Sequence, residues 1–182
     1  MSEPENMLVL GGCRSGKSRF ARNYAETGDK RKVFIATLMP QDEEMKQRVK
    51  RHQQERGSQW STVEAPVTLA EVIEDHASQH TLLLVDCLTL WISNLFMEGH
   101  DIDSIQQQSS RLCESIQASP GQIVLVSNEV GSGIVPDTRL GRDFRDAAGF
   151  VNQQVAAASD TVILVTAGIP RVIKGKPLVQ SL

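Results

Sequence analysis

The most informative part of the chain is Met7-Leu8-Val9-Leu10-Gly11-Gly12-Cys13-Arg14-Ser15-Gly16-Lys17-Ser18. Four apolar residues lead into a complete G-x-x-x-x-G-K-[ST] phosphate loop, which belongs between a buried strand and a helix. Backbone N–H groups of this turn and the positive end of the following helix favour a polyphosphate. We expect Lys17 to reach the β- and γ-phosphates and the Ser18 hydroxyl to bind Mg²⁺. The alternative, a glycine-rich turn before an ordinary helix, fits these flanks poorly. The sequence therefore predicts a nucleoside triphosphate site.

Further apolar runs follow the first and predict a sheet. Their apolarity is continuous rather than alternating, which is typical of strands buried on both faces. The predicted strands are residues 7–10, 33–37, 82–85, 123–127 and 162–166, and helical spacing covers residues 18–26, 42–56, 68–77, 88–96 and 145–159. Because strands alternate with helices, we predict a doubly wound α/β fold with a mainly parallel sheet, of the RecA-like P-loop NTPase class. Residues 7–182 form one predicted domain, preceded by a disordered or extended segment, residues 1–6.

Composition limits the class of protein. Lysine and arginine number 19 against 22 aspartate and glutamate residues, for a net charge of −3. Without a basic stripe, the sequence gives no support for a nucleic-acid partner. The three cysteines show no pairing or metal-ligand spacing, the N-terminus is polar, and the apolar runs are too short to span a bilayer. We expect a soluble, cytoplasmic protein with reduced thiols.

A carboxylate ends the strand predicted at residues 82–85. Asp86 follows Leu82-Leu83-Leu84-Val85, the form of a Walker B segment. An acid at this position can hold Mg²⁺ or bond a ribose hydroxyl. Asp86 could instead cap the helix that follows. Both interpretations stay open from the residues alone.

One histidine lies on the apolar side of a polar predicted helix. In residues 42–56, Met45 and Val49 form a stripe that continues to His52 and Arg56. His52 could be a satisfied residue between core and solvent. A neutral imidazole could also attack an α-phosphate and expel pyrophosphate, with Arg56 neutralising charge. Spacing alone permits both.

Longer motifs carry a family resemblance across residues 7–168. They are the phosphate loop, Ile35-Ala36-Thr37, Arg48-Val49-Lys50-Arg51-His52 with Arg56 and Trp60, Leu84 to Leu95, Val126-Ser127-Asn128-Glu129-Val130-Gly131-Ser132-Gly133-Ile134-Val135-Pro136, and Arg139 to Asp146 with Gly149 and Asn152. This pattern resembles the bifunctional adenosylcobinamide kinase/adenosylcobinamide-phosphate guanylyltransferases of cobalamin synthesis. The resemblance implies phosphorylation of adenosylcobinamide by ATP or GTP, then transfer of GMP from GTP to give adenosylcobinamide-GDP.

The resemblance also implies roles for individual residues. His52 matches the histidine that carries GMP, and Lys17 the catalytic lysine of the phosphate loop. Nucleotide contacts are implied for Gly11, Gly12, Cys13, Arg14, Ser15, Gly16, Lys17, Ser18, Ala36, Thr37, Leu38, Gln53, Gln54, Glu55, Arg56, Glu64 and Asp86. Ser18 and Asp86 are the implied Mg²⁺ ligands. Members of this family are typically homotrimers, so the resemblance implies a homo-oligomer, with the corrinoid as the small-molecule partner.

The sequence differs from the family pattern at some positions and leaves other functions open. Many relatives have arginine where Gln53 stands and proline where Gly57 stands. Glu129 could be a base or corrinoid contact, or could bond the turn at residues 131–133. A small-molecule kinase without nucleotidyl transfer would use Arg139, Arg142 and Arg145 as a lid. A RecA-like motor or regulatory ATPase would share the loop and Asp86 but would not need His52.

Overall fold

The computed structural model describes residues 5–39 and 59–176. The elements follow in the order β1 (Met7–Gly11), α1 (Lys17–Glu26), β2 (Arg31–Ala36), β3 (Trp60–Glu64), α2 (Leu69–His76), β4 (Thr81–Asp86), α3 (Leu88–Met97), α4 (Ile102–Ala118), β5 (Gln122–Asn128), α5 (Arg139–Ala158), β6 (Thr161–Thr166) and β7 (Ile169–Lys174). The helix expected over residues 42–56 lies outside the described residues.

The strands form one sheet in the order β3-β2-β4-β5-β1-β6-β7. The pairs from β3 to β6 are parallel, and only β6 and β7 pair antiparallel among the described strands. The predicted mainly parallel α/β sheet is therefore confirmed. Because β1 lies between β5 and β6, the loop after β1 has the ends of other strands on both sides.

Each face of the sheet has its own core. Met7 and Val9 of β1 pack with Phe20 and Ala21 of α1 on one face. Leu8 and Leu10 point to the other face, into the cluster that contains the buried side chains of α2 to α5. This alternation along a buried strand is the two-residue periodicity of β-structure. The loop between β1 and α1 is consequently held from both sides of the sheet.

Local side chains set where several helices begin and end. The Asp101 carboxylate accepts a hydrogen bond from the Ser104 N–H at 2.9 Å and caps α4. The Thr138 hydroxyl accepts one from the Gly141 N–H at 3.1 Å and starts α5 six residues before the predicted start. Helix α1 ends at Glu26, and the backbone N–H and hydroxyl of the next residue, Thr27, both donate to the Tyr24 carbonyl.

Asn6 ties the start of β1 to its neighbours. Its backbone N–H donates to Asp160 at 2.7 Å, and its side-chain amide donates to the Ile116 carbonyl at 3.0 Å. Its side-chain oxygen accepts from the Ile123 N–H at 3.0 Å. Asn6, expected in the terminal segment, is thus buried and bonded to α4, β5 and the turn before β6.

The helices of this fold are short or amphipathic. In residues 5–39 and 59–176, none combines the length and apolar character that a membrane span requires.

Candidate functional site

The phosphate loop lies at the carboxyl end of β1, where ligands bind in open parallel sheets. Two of its residues have left-handed backbone, Arg14 with φ 55° and Gly16 with φ 95°. The Ser15 N–H donates to the Gly12 carbonyl at 3.2 Å, and α1 begins at Lys17. Successive N–H groups in such a turn form a concave anion site. The predicted phosphate cradle is therefore present in the backbone.

Gly11 is required by close packing under the loop. A Cβ atom at this position would lie 2.4 Å from the Ser15 Oγ and 2.6 Å from the Val165 carbonyl oxygen. A Cβ atom at the neighbouring Gly12 would meet nothing within 4 Å. Only the first of the two glycines is thus dictated by sterics.

Lys17 lies across the loop rather than out in solvent. The residue is 7% exposed, and its Nζ donates to the Gly12 carbonyl at 3.0 Å. Ser18, the next residue, is exposed. The Lys17 ammonium is therefore held by a backbone carbonyl of the loop, and Ser18 is accessible to solvent.

Three residues expected to contact nucleotide lie in one row across the sheet. Ala36 ends β2 and is in register with Glu64, which ends β3, and with Asp86, which ends β4. Glu64 is exposed, whereas Ala36 and Asp86 are partly buried. The residue at the N-cap position of α3 is Cys87 and not Asp86. The sheet brings the three together on one side of the phosphate loop.

Thr37 connects two of these strand ends. Its hydroxyl donates to the Cys87 carbonyl and accepts from the Cys87 N–H, both at 2.8 Å, and the residue is 0% exposed. The Asn94 amide donates to the Thr37 carbonyl at 2.7 Å and to the Pro66 carbonyl at 2.8 Å. The Thr37 hydroxyl is thus occupied by backbone, while its neighbour Leu38 is partly buried.

A second bonded group joins β5 to the loop after β1. The Glu129 N–H donates to the Gly11 carbonyl at 3.0 Å. Asn128 bonds the Thr89 hydroxyl through both its backbone N–H and its side-chain amide, at 2.8 and 3.0 Å. The Asn152 amide donates to the Asn128 carbonyl at 3.1 Å. Thr89, Asn128 and Asn152 lie within the motifs that carry the family resemblance, but the sequence pattern alone indicates no role for them.

Glu129 itself fits the structural alternative. Its Oε1 accepts a hydrogen bond from the Gly131 N–H at 3.3 Å, so the carboxylate supports the glycine-rich turn. The same loop exposes Ile134, at 97%, and Val135, at 56%. This loop follows β5 at the same edge of the sheet as the phosphate loop.

The arginines proposed as a lid are bound within their own segment. The Arg142 guanidinium donates to the carbonyls of Pro136 and Asp137 at 3.0 and 2.8 Å. Arg139 pairs with Asp143 at 3.5 Å, and Arg145 with Asp146 at 3.4 Å. They hold the start of α5.

The cysteines near the site differ in accessibility. Burial, reinforced by the negative charge of Asp86, raises the pKa of the Cys87 thiol, which is therefore protonated at neutral pH. Cys13 is exposed on the phosphate loop. Cys87 is consequently a packing residue rather than a nucleophile.

The tryptophans both belong to the core. Trp91 is 1% exposed and donates to the Val67 carbonyl at 2.8 Å, and Trp60 is 9% exposed and packs against Phe34.

The remaining predicted site residues lie outside the described residues. They are His52, Gln53, Gln54, Glu55 and Arg56.

No group of three or more histidine, cysteine or acidic side chains within the described ranges could enclose a metal ion. This finding does not bear on the expected pair Ser18 and Asp86, because Mg²⁺ commonly takes only one or two protein ligands together with phosphate oxygens and water.

Comparisons with known proteins agree with this geometry. A family model described as cobinamide kinase / cobinamide phosphate guanyltransferase matches residues 7–173. The bifunctional adenosylcobalamin biosynthesis protein CobP of Pseudomonas aeruginosa is 40% identical over 171 residues, covering 94% of this chain and 98% of that protein. The corresponding protein CobU of Escherichia coli is 42% identical over 181 residues, covering 92% and 99%.

Solved structures support the fold class. An ATPase from the type III secretion system of pathogenic bacteria matches with a TM-score of 0.57 at 16% identity, covering 91% of this chain and 52% of that one. The RadB recombinase matches with a TM-score of 0.50 at 14% identity, covering 89% and 74%. The predicted RecA-like P-loop fold is confirmed.

Proposed function

The chain belongs to the cobinamide kinase / cobinamide phosphate guanyltransferase family, and we propose from this membership that it carries out both reactions on adenosylcobinamide. It first phosphorylates the aminopropanol hydroxyl of that corrinoid, and it then transfers GMP from GTP to the new phosphate. The product is adenosylcobinamide-GDP, and the by-product of the second step is pyrophosphate.

The observation that carries the proposal is the phosphate loop with its buried lysine. Lys17 donates to the Gly12 carbonyl within the loop. The N–H of Glu129, the residue after β5, donates to the Gly11 carbonyl at the start of the loop. A rigid, cationic cradle stabilises charge on β- and γ-phosphates with little reorganisation. The same cradle suits γ-phosphoryl transfer and the departure of pyrophosphate, because both reactions build negative charge on those groups.

In the kinase step, the substrate hydroxyl oxygen attacks the γ-phosphorus of ATP or GTP. The bond from that phosphorus to the β-bridging oxygen breaks, the nucleoside diphosphate leaves, and the hydroxyl proton is released to solvent. Lys17 neutralises the leaving phosphate, and positioning accounts for much of the remaining rate. Mg²⁺ held by Ser18 and Asp86 would screen phosphate charge when bound.

In the guanylyl step, we assign the nucleophile to His52. A neutral imidazole nitrogen bonds to the α-phosphorus of GTP as the bond to the pyrophosphate oxygen breaks. A phosphate oxygen of adenosylcobinamide phosphate then attacks the same phosphorus and releases the histidine. Nucleotide contacts by Ala36, Leu38, Glu64 and Asp86, and by residues 53–56, are part of this proposal.

The row formed by Ala36, Glu64 and Asp86 supports such a nucleoside site beside the cradle. Thr37 has a different role, because its hydroxyl already bonds both backbone groups of Cys87. We propose that Thr37 holds the Asp86–Cys87 segment in place and contacts nucleotide only through its backbone.

The test of covalent transfer is a labelling experiment. The purified chain is incubated with α-³²P-GTP and Mg²⁺, and acid-labile, alkali-stable label is measured on the protein. We expect label on the wild type and on His80→Ala, an exposed matched control, and none on His52→Ala. Label that survives His52→Ala would remove His52 from the mechanism.

A kinase without nucleotidyl transfer is the second candidate. Its arginine lid receives no support, since Arg139 and Arg145 pair with acids of α5 and Arg142 bonds carbonyls of its own loop. Such an enzyme would form no GMP adduct, so the same experiment separates the two.

Cellular setting and assembly complete the proposal. We propose a cytoplasmic homotrimer without a nucleic-acid partner, on the family resemblance, the net charge of −3 and the free cysteines. Light scattering after gel filtration measures the assembly, and a monomer would contradict it.

A further inference from the structure

A groove extends from the phosphate loop toward the β6–β7 hairpin. Its volume is about 510 Å³, within the range of small-molecule sites. Its lining consists of Arg14, Ser15, Gly16, Lys17, Ser18, Arg19, Ala167 and Gly168. Arg14 and Arg19 are exposed side chains, so two cations are available at the groove in addition to Lys17.

The hairpin turn forms a fixed wall of this groove. Ala167 and Gly168 both have left-handed backbone, with φ 51° and 82°, as two-residue hairpins require. The Gly168 N–H donates to the Ser15 carbonyl at 2.8 Å. A Cβ atom at Gly16 would lie 3.4 Å from the Gly168 Cα, so the turn and the loop are in close contact.

Arg19 lies where the groove leaves the cradle. It is the third residue of α1, directly after Lys17 and Ser18. Its guanidinium is near the turn, since a Cβ atom at Gly168 would be 3.5 Å from an Arg19 terminal nitrogen. A planar guanidinium can pair with a phosphate and stack on an aromatic base. In a nucleotide, an inner phosphate and an aromatic base follow the terminal phosphates, so Arg19 lies where it can contact them.

The strand order puts this groove opposite the nucleoside site proposed for guanylyl transfer. Strand β6 adjoins β1 on one side, whereas β4, β2 and β3 lie second, third and fourth from β1 on the other. At ~4.8 Å per strand, the ends of β2 and β3 are roughly 14 and 19 Å from β1. A triphosphate anchored at Lys17 therefore has two distinct directions in which to extend its nucleoside.

We propose that the Arg19 groove holds the ribose and base of the phosphoryl donor in the kinase step. The GTP used for guanylyl transfer instead extends toward Ala36, Glu64 and Asp86. This inference rests on the proposed function and adds a second nucleoside site to it. One phosphate cradle thus serves two reactions by accepting nucleotides in two orientations.

Photocrosslinking tests the occupant directly. The wild-type chain is irradiated with 8-azido-ATP and Mg²⁺, and labelled peptides are sequenced by mass spectrometry. We expect modification within residues 166–169, competed by unlabelled ATP. Label confined to the ends of β2 and β3, with none at residues 166–169, would overturn the proposal.

Variants of Arg19 give an independent readout. For Arg19→Ala we expect KM for the phosphoryl donor to rise by about 3- to 30-fold, the range for a lost cation–π contact. The yield of GMP adduct from GTP should stay within about twofold of wild type, because that orientation does not use the groove. Arg19→Glu should raise KM further, and Arg22→Ala, one turn along α1, is the matched charge control.

The outcomes separate this inference from the proposed function. An equal loss of both reactions in Arg19→Ala, or no change in either, would refute the two-orientation account. If the wild type shows neither cobinamide phosphorylation nor a GMP adduct, the proposed function fails. The crosslink at residues 166–169 still decides whether a nucleoside occupies the groove.

Discussion

The exchange Thr37→Val removes one hydroxyl from the centre of the strand-end network and keeps the side-chain shape. That hydroxyl bonds both the N–H and the carbonyl of Cys87 at 2.8 Å, in a position that is 0% exposed. The carbonyl keeps a second partner, the Trp91 N–H at 3.2 Å. The main loss is therefore one buried N–H without a partner.

The magnitude follows from these contacts. A buried donor left unsatisfied costs about 1–3 kcal/mol, and the second lost bond adds about 0.5–1.5 kcal/mol. We expect the free energy of unfolding to fall by about 1.5–4.5 kcal/mol. At about 2–4 °C per kcal/mol for a chain of this size, Tm falls by about 3 °C or more.

Urea denaturation followed by circular dichroism measures the change, with Thr62→Val on the partly buried edge strand β3 as the matched control. We expect a small effect, within about 0.5 kcal/mol, for that control. An unchanged unfolding free energy in Thr37→Val, combined with weaker nucleotide binding, would refute the reasoning. It would mean that the hydroxyl contacts nucleotide rather than Cys87.

Three further predictions use the same site. Gly11→Ala should lose triphosphate binding and stability, because its Cβ would lie 2.6 Å from the Val165 carbonyl oxygen. Gly12→Ala should fold normally, because a Cβ atom there would lie in open space. Equal unfolding temperatures of the two variants in calorimetry would contradict this prediction. Cys13 should react with maleimide faster than Cys87 and Cys113 near neutral pH, because the other two thiols are less exposed and burial raises the pKa of both. Nucleoside triphosphate should protect Cys13 from this reaction. Peptide mapping that finds Cys87 labelled first would contradict the prediction. Asn94→Ala should lower the unfolding free energy by about 2 kcal/mol, as its amide bonds the Thr37 and Pro66 carbonyls, while exposed Asn23→Ala should not; equal urea midpoints would count against the network.

The buried strands were predictable because their side chains are apolar on both faces. The phosphate loop was predictable because its spacing reflects backbone geometry, and Gly11 is indeed required by packing. Strands β3 and β7 were missed because they lie at the edges of the sheet and carry polar or exposed residues. Helix α4 was missed through its many polar residues, although Ile105, Leu112 and Ile116 recur on its buried face.

Other parts of the site depend on contacts between distant residues. The start of α5 was predicted too late, because Gly141 and the polar residues of the first turn do not show a helical apolar pattern. The Thr138 cap fixes the actual start. The contact between Gly168 and Ser15 joins residues that are distant in sequence, and no local pattern signals it. The roles of Asn94 and Asn128 depend on backbone groups of other elements in the same way.

The most direct test compares two variants in both reactions of one preparation. Lys17→Met should abolish cobinamide phosphorylation and GMP transfer alike, because Lys17 bonds the phosphate loop that both proposed reactions use. His52→Ala should abolish GMP transfer and leave phosphorylation near the wild-type rate. Guanylyl transfer that persists in Lys17→Met, or phosphorylation lost together with transfer in a folded His52→Ala, would contradict the account.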